Sequence, residues 1–306
     1  MLELKHFRLV EAIHRTGSIS AAARELGYSQ PAASQQLRQL ERIVRTPVIS
    51  RSGRRTRLTQ AGEVLLAHGP QALSAAQRSM SEIELIADLQ GGELTLTAFP
   101  SASATIVPIA LAEFSQRHPA VGVRLIEAEA PTAVDQLAAG DADIAVVGHF
   151  YTAGAPPTHA PADWVWRTVL EEEVYVALPK AHPAAARGRI ALADLSGERW
   201  IAGCVECRAN LLESAAVAGF SPRITLETDD YVALQRLAAA GLGVALISGL
   251  MLDAARADPS LALRPLRPRR LRRISTVATP TALRVPGIAE LMGCLQRAGV
   301  TVGQRI

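Results

Sequence analysis

Gln30, Ser34, Gln35 and Arg38 fall on one side of a short stretch, QPAASQQLRQL, whose other side is apolar. Glutamine can pair with an adenine edge, arginine with guanine and serine with either, so this set suits base reading in a major groove. Further on, Arg51, Arg54, Arg55 and Arg57 form a basic strip with no acid between them, suited to phosphate oxygens. A second reactive feature is Cys204-Val205-Glu206-Cys207. At a strand-to-helix junction the positive helix end lowers thiolate pKa, and the pair becomes capable of reversible disulfide formation. A single CxxC lacks the second ligand pair of a zinc site, and the seven histidines show no metal spacing. No metal and no cofactor are expected. Nucleophile elbow, Walker loop and Rossmann fingerprint are all missing, which argues against an enzyme.

The base-reading set needs a helix held against a small core, and the preceding residues supply one. Residues 4–15 place Phe7, Val10 and Ile13 on one helical face, and Gly17 ends that helix. Ser18 has N-cap chemistry for a short helix over 19–26, in which Ala21, Ala22 and Ala23 permit close approach. Gly27-Tyr28 is the turn. Ser29 is the next N-cap, with Pro31 just inside the helix that follows, residues 30–44. Ala33, Leu37, Leu40 and Val44 face its core side. Charge agrees with this assignment: residues 1–58 hold eleven Lys/Arg and four Glu, a net +7, whereas the whole chain is +3 and the remainder therefore −4.

Residues 58–90 keep a helical pattern, with Leu66, Leu73, Met80 and Ala87 every seven positions, joined by Ala76 and Ile83. This seam predicts a dimerising linker helix, with a kink or break at Gly69-Pro70. After Gly91-Gly92 the pattern turns to alternating strands and helices: strands at 93–99, 121–128 and 142–147, helices at 104–118 and 132–140. A Pro-rich connector at 154–163 leads to a second such set. It has strands at 164–170, 174–178, 200–202, 223–227 and 244–247, with helices at 208–218 and 231–240. A strand at 274–279 and a helix at 288–298 close the chain, the helix returning to the first lobe.

At 306 residues, 49% hydrophobic and 20% charged, the chain has material for two or three soluble domains. Its apolar run over 237–252 is too short and Gly-interrupted to span a bilayer. Charged residues near the start argue against a signal peptide, and three cysteines against a secreted scaffold, so a cytoplasmic location is expected.

The ordered positions Phe7…Val10, Gly17-Ser18-Ile19-Ser20-Ala21-Ala22, Leu26, Ser29-Gln30-Pro31-Ala32-Ala33-Ser34, Leu40-Glu41 and Arg51…Leu58-Thr59-Gln60-Ala61-Gly62 resemble the N-terminal domain of LysR-type transcriptional regulators. Arg45 and Ile49 depart from that pattern, standing where the family usually has glycine and an aromatic. Looser landmarks, Phe114…His118-Pro119, Gly140-Asp141-Ala142-Asp143 and 239–244, extend the resemblance to the family's effector domain.

The resemblance implies an all-α winged helix-turn-helix over 1–58, a linker helix over 59–90 and a two-lobe α/β domain like periplasmic binding proteins. Lobe I would take 91–163 plus 268–306, and lobe II 164–267. Expected DNA contacts are Ser29, Gln30, Pro31, Ala32, Ser34, Gln35, Arg38, Arg51, Arg54, Arg55 and Arg57. The expected partners are double-stranded promoter DNA with paired half-sites, a small-molecule effector, further copies of the chain as a homodimer or homotetramer, and RNA polymerase; no membrane is expected.

Ligands of open α/β sheets bind beyond the carboxyl ends of strands. That rule selects Ser101, Ala102, Ser103, Glu127, Ala128, Gly148, His149, Cys204, Glu206, Thr228 and Asp229 as effector-site candidates. Ser101 and Ser103 could cap the helix or donate to a carboxylate. Glu127, Glu129, Glu206 and Asp229 leave room for a cationic or zwitterionic effector. The alternative reading is a thiol-based redox regulator using Cys204 and Cys207, Cys207 matching the reactive position of the family's peroxide-sensing branch. That branch's resolving cysteine would fall near Ala216 and is absent. The basic cluster at Arg264, Arg267, Arg269, Arg270, Arg272 and Arg273 reads as a solvated connector.

Overall fold

The computed structural model describes residues 1–52, 55–152 and 163–305. The chain forms two compact units, Met1–Glu84 and Leu85–Ile306. The connector expected at 154–163 lies outside the described residues except for Asp163.

In the first unit, α1 (Leu4–Thr16), α2 (Ile19–Glu25) and α3 (Gln30–Val44) precede a hairpin of β1 (Ile49–Ser52) and β2 (Arg55–Leu58). The local chemistry explains the boundaries. Ser18 accepts from the Ala21 N–H at 3.0 Å and Ser29 from the Ala32 N–H at 3.3 Å, each satisfying a free donor of the first turn. Gly17 ends α1 in the left-handed conformation. Leu9, Val10, Ile13, Ala22, Ala33, Leu37, Leu40 and Val48 form the core. Glu41 fixes the hairpin entry, its Oε1 accepting from the Val48 N–H at 3.0 Å.

The long helix α4 (Gln60–Ala87) begins on Thr59, whose hydroxyl donates to Pro47 O at 2.7 Å and accepts from the Gly62 N–H at 3.3 Å. A Cβ at Gly62 would overlap the Val48 carbonyl oxygen, so only glycine lets the helix meet the hairpin here. Of the kink or break expected at Gly69-Pro70, the break does not occur: α4 continues through Pro70. Gly69 is buried, and Phe7 lies at ordinary contact distance from where a Cβ would stand, so tertiary packing supports the helix at its weak point.

The second unit opens with β3 (Glu93–Ala98), α5 (Pro100–Ala104), α6 (Ile106–Arg117), β4 (Gly122–Glu127), α7 (Ala130–Ala139) and β5 (Ile144–Thr152). It continues through β6 (Val165–Pro179), β7 (Ile190–Ala191), β8 (Arg199–Ala202), α8 (Val205–Val217), β9 (Arg223–Glu227) and α9 (Tyr231–Ala239). β10 (Val244–Ser248), α10 (Gly249–Ala254), β11 (Leu261–Arg267), β12 (Arg270–Ala278) and α11 (Pro286–Gly303) complete it. The strand order is β4-β3-β5-β12-β6-β10-β8-β9, with β11 on β6. Parallel β4, β3 and β5 make lobe I and parallel β10, β8 and β9 lobe II, while antiparallel β12 and β6 stitch them together.

Several expectations change. The two strands predicted over 164–178 are one 15-residue strand, β6, whose beginning pairs with β12 and whose end pairs with β10 and β11. Residue 164, taken above as the start of lobe II, is followed by Val169 and Leu170, which pack in the lobe I core. β11 was missed, and β12 starts at Arg270 rather than Ile274. The helix expected over 104–118 is present as α6, and a short helix that was not expected, α5, precedes it. Ser101 and Ser103 sit inside α5 and cap neither helix; Ser103 Oγ instead donates to Ala98 O at 3.4 Å. α11 returns to lobe I, packing Ile288, Leu291, Leu295 and Cys294 against Leu94, Phe114 and Ile144.

Candidate DNA-reading face and effector cleft

The amphipathic pattern of α3 turns its expected reading side outward. Ser29, Gln30, Pro31, Gln35 and Arg38 are exposed, and Ala32 and Ser34 are half-buried at the edge of the same face. Arg57 is exposed in β2. Arg51 and Arg55 lie in the hairpin strands, opposite Thr56 and Ser52. Arg54 lies outside the described residues. Arg42, which the sequence reading passed over, sits one turn beyond Arg38 and donates to its carbonyl at 3.3 Å, extending the cationic edge.

In the second unit the candidate loops converge on a residue that was read as solvated, Arg272. It is buried, and its Nε donates to Glu172 Oε1 at 2.5 Å. Its Nη2 donates to Ser101 Oγ at 3.3 Å. The guanidinium carbon stands 4.8 Å from the Phe99 ring centre and 5.4 Å from that of Phe150. A Cβ at Gly148 would press on the Arg272 side chain at 3.2 Å, so the absence of a side chain there admits the arginine. Glu172 Oε2 accepts from the Leu250 N–H at 2.5 Å, tying α10 to the same centre.

Apart from the exposed Arg267, the rest of the basic cluster is likewise engaged in polar contacts. Arg270 is buried against Asn210 Oδ1 (2.8 Å), Thr152 Oγ1 (3.0 Å) and the Glu213 carboxylate. Arg269 pairs with Glu173 at 3.0 Å and Arg273 with Glu171 at 3.2 Å, and Arg264 donates to Ala185 O at 2.6 Å. Antiparallel register is the reason. It sets Arg272 opposite Glu172 and Phe150, and Arg273 opposite Glu171 and His149, so like faces of neighbouring strands carry opposite charges.

Cys204 caps α8, and its Sγ lies 2.8 Å from Cys207 Sγ with both thiols free and buried. The helix end does not act on the two alike. The hydrogen bond that Cys204 donates, reinforced by Arg272, holds the Cys207 thiol below the ordinary thiol range, against burial and Glu129. The same hydrogen bond, burial and the neighbouring charges of Cys207 and Glu129 push Cys204 well above it. From lobe I, Glu129 reaches this pair. Burial raises its carboxyl above the usual range, Asp229 adds to the rise, and Cys204 and Arg272 oppose it.

Ser101, Gly148, Cys204 and Glu129 thus belong to one neighbourhood around Arg272, while Ala102 packs in the lobe I core. His149 turns to the other face of β5, its ring 5.4 Å from that of Trp166. Ser103, Ala128, Glu206 and Thr228 are half-buried, while Glu127 and Asp229 are exposed. Among the described residues no group of three or more His, Cys, Asp or Glu is placed to hold a metal ion, and no helix is long and apolar enough to cross a membrane.

A winged helix-turn-helix joined to a two-lobe α/β domain defines a DNA-binding regulator with a ligand-binding module. Residues 4–63 match the family described as bacterial regulatory helix-turn-helix protein, lysR family, and residues 87–299 match the LysR substrate binding domain. The chain belongs to the LysR family of transcriptional regulators. It is 27% identical to a probable RuBisCO transcriptional regulator of Emiliania huxleyi over 250 residues, 80% of this chain and 78% of that protein. Among solved structures it is similar to HinK of Pseudomonas aeruginosa, with a TM-score of 0.75 at 18% identity, covering 98% of this chain and 100% of that one. Full-length OxyR of the same organism gives a TM-score of 0.69 at 20% identity, covering 96% and 100%. The families and relatives it matches are regulators, not enzymes.

Proposed function

We propose that a small molecule bound between the two lobes of Leu85–Ile306 controls how paired copies of this regulator engage promoter DNA. The observation that carries this reading is the convergence of Ser101, Phe150 and Glu172, from α5, β5 and β6, and of Phe99 at the start of α5, on the one buried guanidinium of Arg272 in β12. A ligand that moves any one of them biases the strands that join the lobes, which is the differential contact a population shift requires. Glu127, Glu129, Glu206 and Asp229 favour a cationic or zwitterionic effector. On α4, Met80 and Ile83 are exposed along the apolar seam, which supports a dimer closed through that helix and two α3 helices reading two half-sites.

A thermal-shift screen of amino acids, organic acids and aromatic metabolites under reducing conditions tests this. At about 100 times its dissociation constant a true effector adds roughly 2.7 kcal/mol to native stability. A hit abolished by Ser101→Leu supports the cleft; a hit indifferent to that change removes it from this site.

A second reading is thiol-based redox control. Its support is the 2.8 Å separation of Cys204 and Cys207 together with their opposed pKa shifts, one thiol readied as nucleophile and the other held as proton donor. Counting free thiols before and after mild peroxide should show two lost per chain. Three thiols remaining after treatment would rule it out.

A further inference from the structure

Lobe II contains a cavity of about 250 Å³ that shares no lining residue with the neighbourhood of Arg272. Its walls are Leu192 and Ala193 from the 3-10 turn Leu192–Leu195, Val217 and Ala218 at the end of α8, and Leu266 and Pro268 beside β11. The polar side chains that line it are those of Thr152, Ser214, Arg267 and Arg270. The guanidinium of Arg270 is already bonded to Asn210, Thr152 and Glu213. Arg267 also lines the cavity; it is exposed, and among the described residues its guanidinium makes no ion pair or hydrogen bond. Val217, at the rim, is 76% exposed, a large apolar side chain left open to water beside an apolar chamber.

We propose that this cavity is a binding site for a single-ring carboxylate, its ring among Leu192, Val217, Leu266 and Pro268 and its carboxylate on Arg267. Size restricts the ligand, since 250 Å³ lies just below the usual range for drug-sized sites, which begins at about 300 Å³. Charge selects its sign, because two arginines line the chamber and Glu213 already neutralises only Arg270. The apolar walls select against sugars and free amino acids, whose polar groups would lose water without a partner. Occupancy is coupled to the lobes through Thr152 and Arg270, which are register partners at the end of the β5–β12 ladder and both face the chamber. A ligand here therefore leans on the strand that carries Arg272.

Benzoate, with neutral benzamide as control, is titrated into the full-length protein and followed by calorimetry. Saturable benzoate binding is expected, at least tenfold tighter than benzamide. Val217→Glu, on an exposed side chain, should weaken it tenfold or more, and Arg267→Gln should bring benzoate down to the benzamide level. Glu127→Gln, in the other cleft, should leave it unchanged. Absence of saturation by about 10 mM, where a ligand of this size with ordinary efficiency is bound, overturns the proposal. So does benzoate binding that survives Val217→Glu and Arg267→Gln or responds to Glu127→Gln.

Discussion

Arg272 Nε and Glu172 Oε1 meet at 2.5 Å between side chains that are 5% and 0% exposed. The pair sits where β6 and β12 pass from one lobe toward the other. Removing one partner leaves the other charge buried, which costs roughly 3–5 kcal/mol, whereas replacing both by apolar groups is far less destabilising. Arg272→Met and Glu172→Leu should each lose that much in urea unfolding, and the double variant should recover most of it. Additive losses would show that the two do not act as a pair.

Gly62 and Gly188 offer a contrast. A Cβ at Gly62 would strike the Val48 carbonyl and approach Leu58 Cβ to 3.0 Å, while at Gly188 it meets nothing within 4 Å. Gly62→Ala should destabilise the first unit by about 1–3 kcal/mol, the usual penalty of overpacking. Gly188→Ala should leave the melting temperature close to that of the parent protein.

Arg45 ends α3 with φ 56°, in the left-handed region, and is exposed. Here the departure from the family's glycine has a measurable consequence. Arg45→Gly relieves a strain of roughly 1 kcal/mol, so the variant should unfold at higher denaturant concentration.

His6 is fully buried, and its Nδ1 accepts from the Glu3 N–H at 3.1 Å. Burial lowers its pKa, with Lys5 and the N-terminus adding to the effect and Glu3 opposing it. The folded state therefore binds this proton less readily than the unfolded state, whose imidazole titrates near 6.5. Its contribution to stability is complete above that value and is lost as pH falls toward the lower folded value. Unfolding at pH 7.5 and 5.5 should show this loss, and His6→Asn should make the pH dependence shallower.

Arg38 and Arg57 should fail differently on DNA. Loss of a base contact at Arg38→Ala is expected to weaken operator binding by about 1–3 kcal/mol while sparing nonspecific binding. Loss of a phosphate contact at Arg57→Ala should weaken both and reduce the salt slope by roughly one. Equal behaviour of the two in salt titrations would place Arg38 on phosphate instead.

The winged unit was legible because its determinants are local. Ser18, Gly17, Ser29 and Pro31 act on atoms within four residues of themselves, and the apolar spacing of α3 needs nothing beyond a helix to become a face. The strands of the second unit were legible wherever apolar residues ran together, as in β5 and β10. Where polarity interrupted the run, as at Glu171–Glu173 in β6 and Arg270–Arg273 in β12, the strand was cut short or truncated. Each segment alone looks solvated.

The sequence by itself determined the two-part architecture and the outward set on α3. Only the tertiary structure decided that Arg272 would be buried. Its fate depends on Glu172 and Phe150, about a hundred residues away, being set opposite it by antiparallel register. A charge enters a core only when its partner arrives with it, and no pattern within β12 announces that partner.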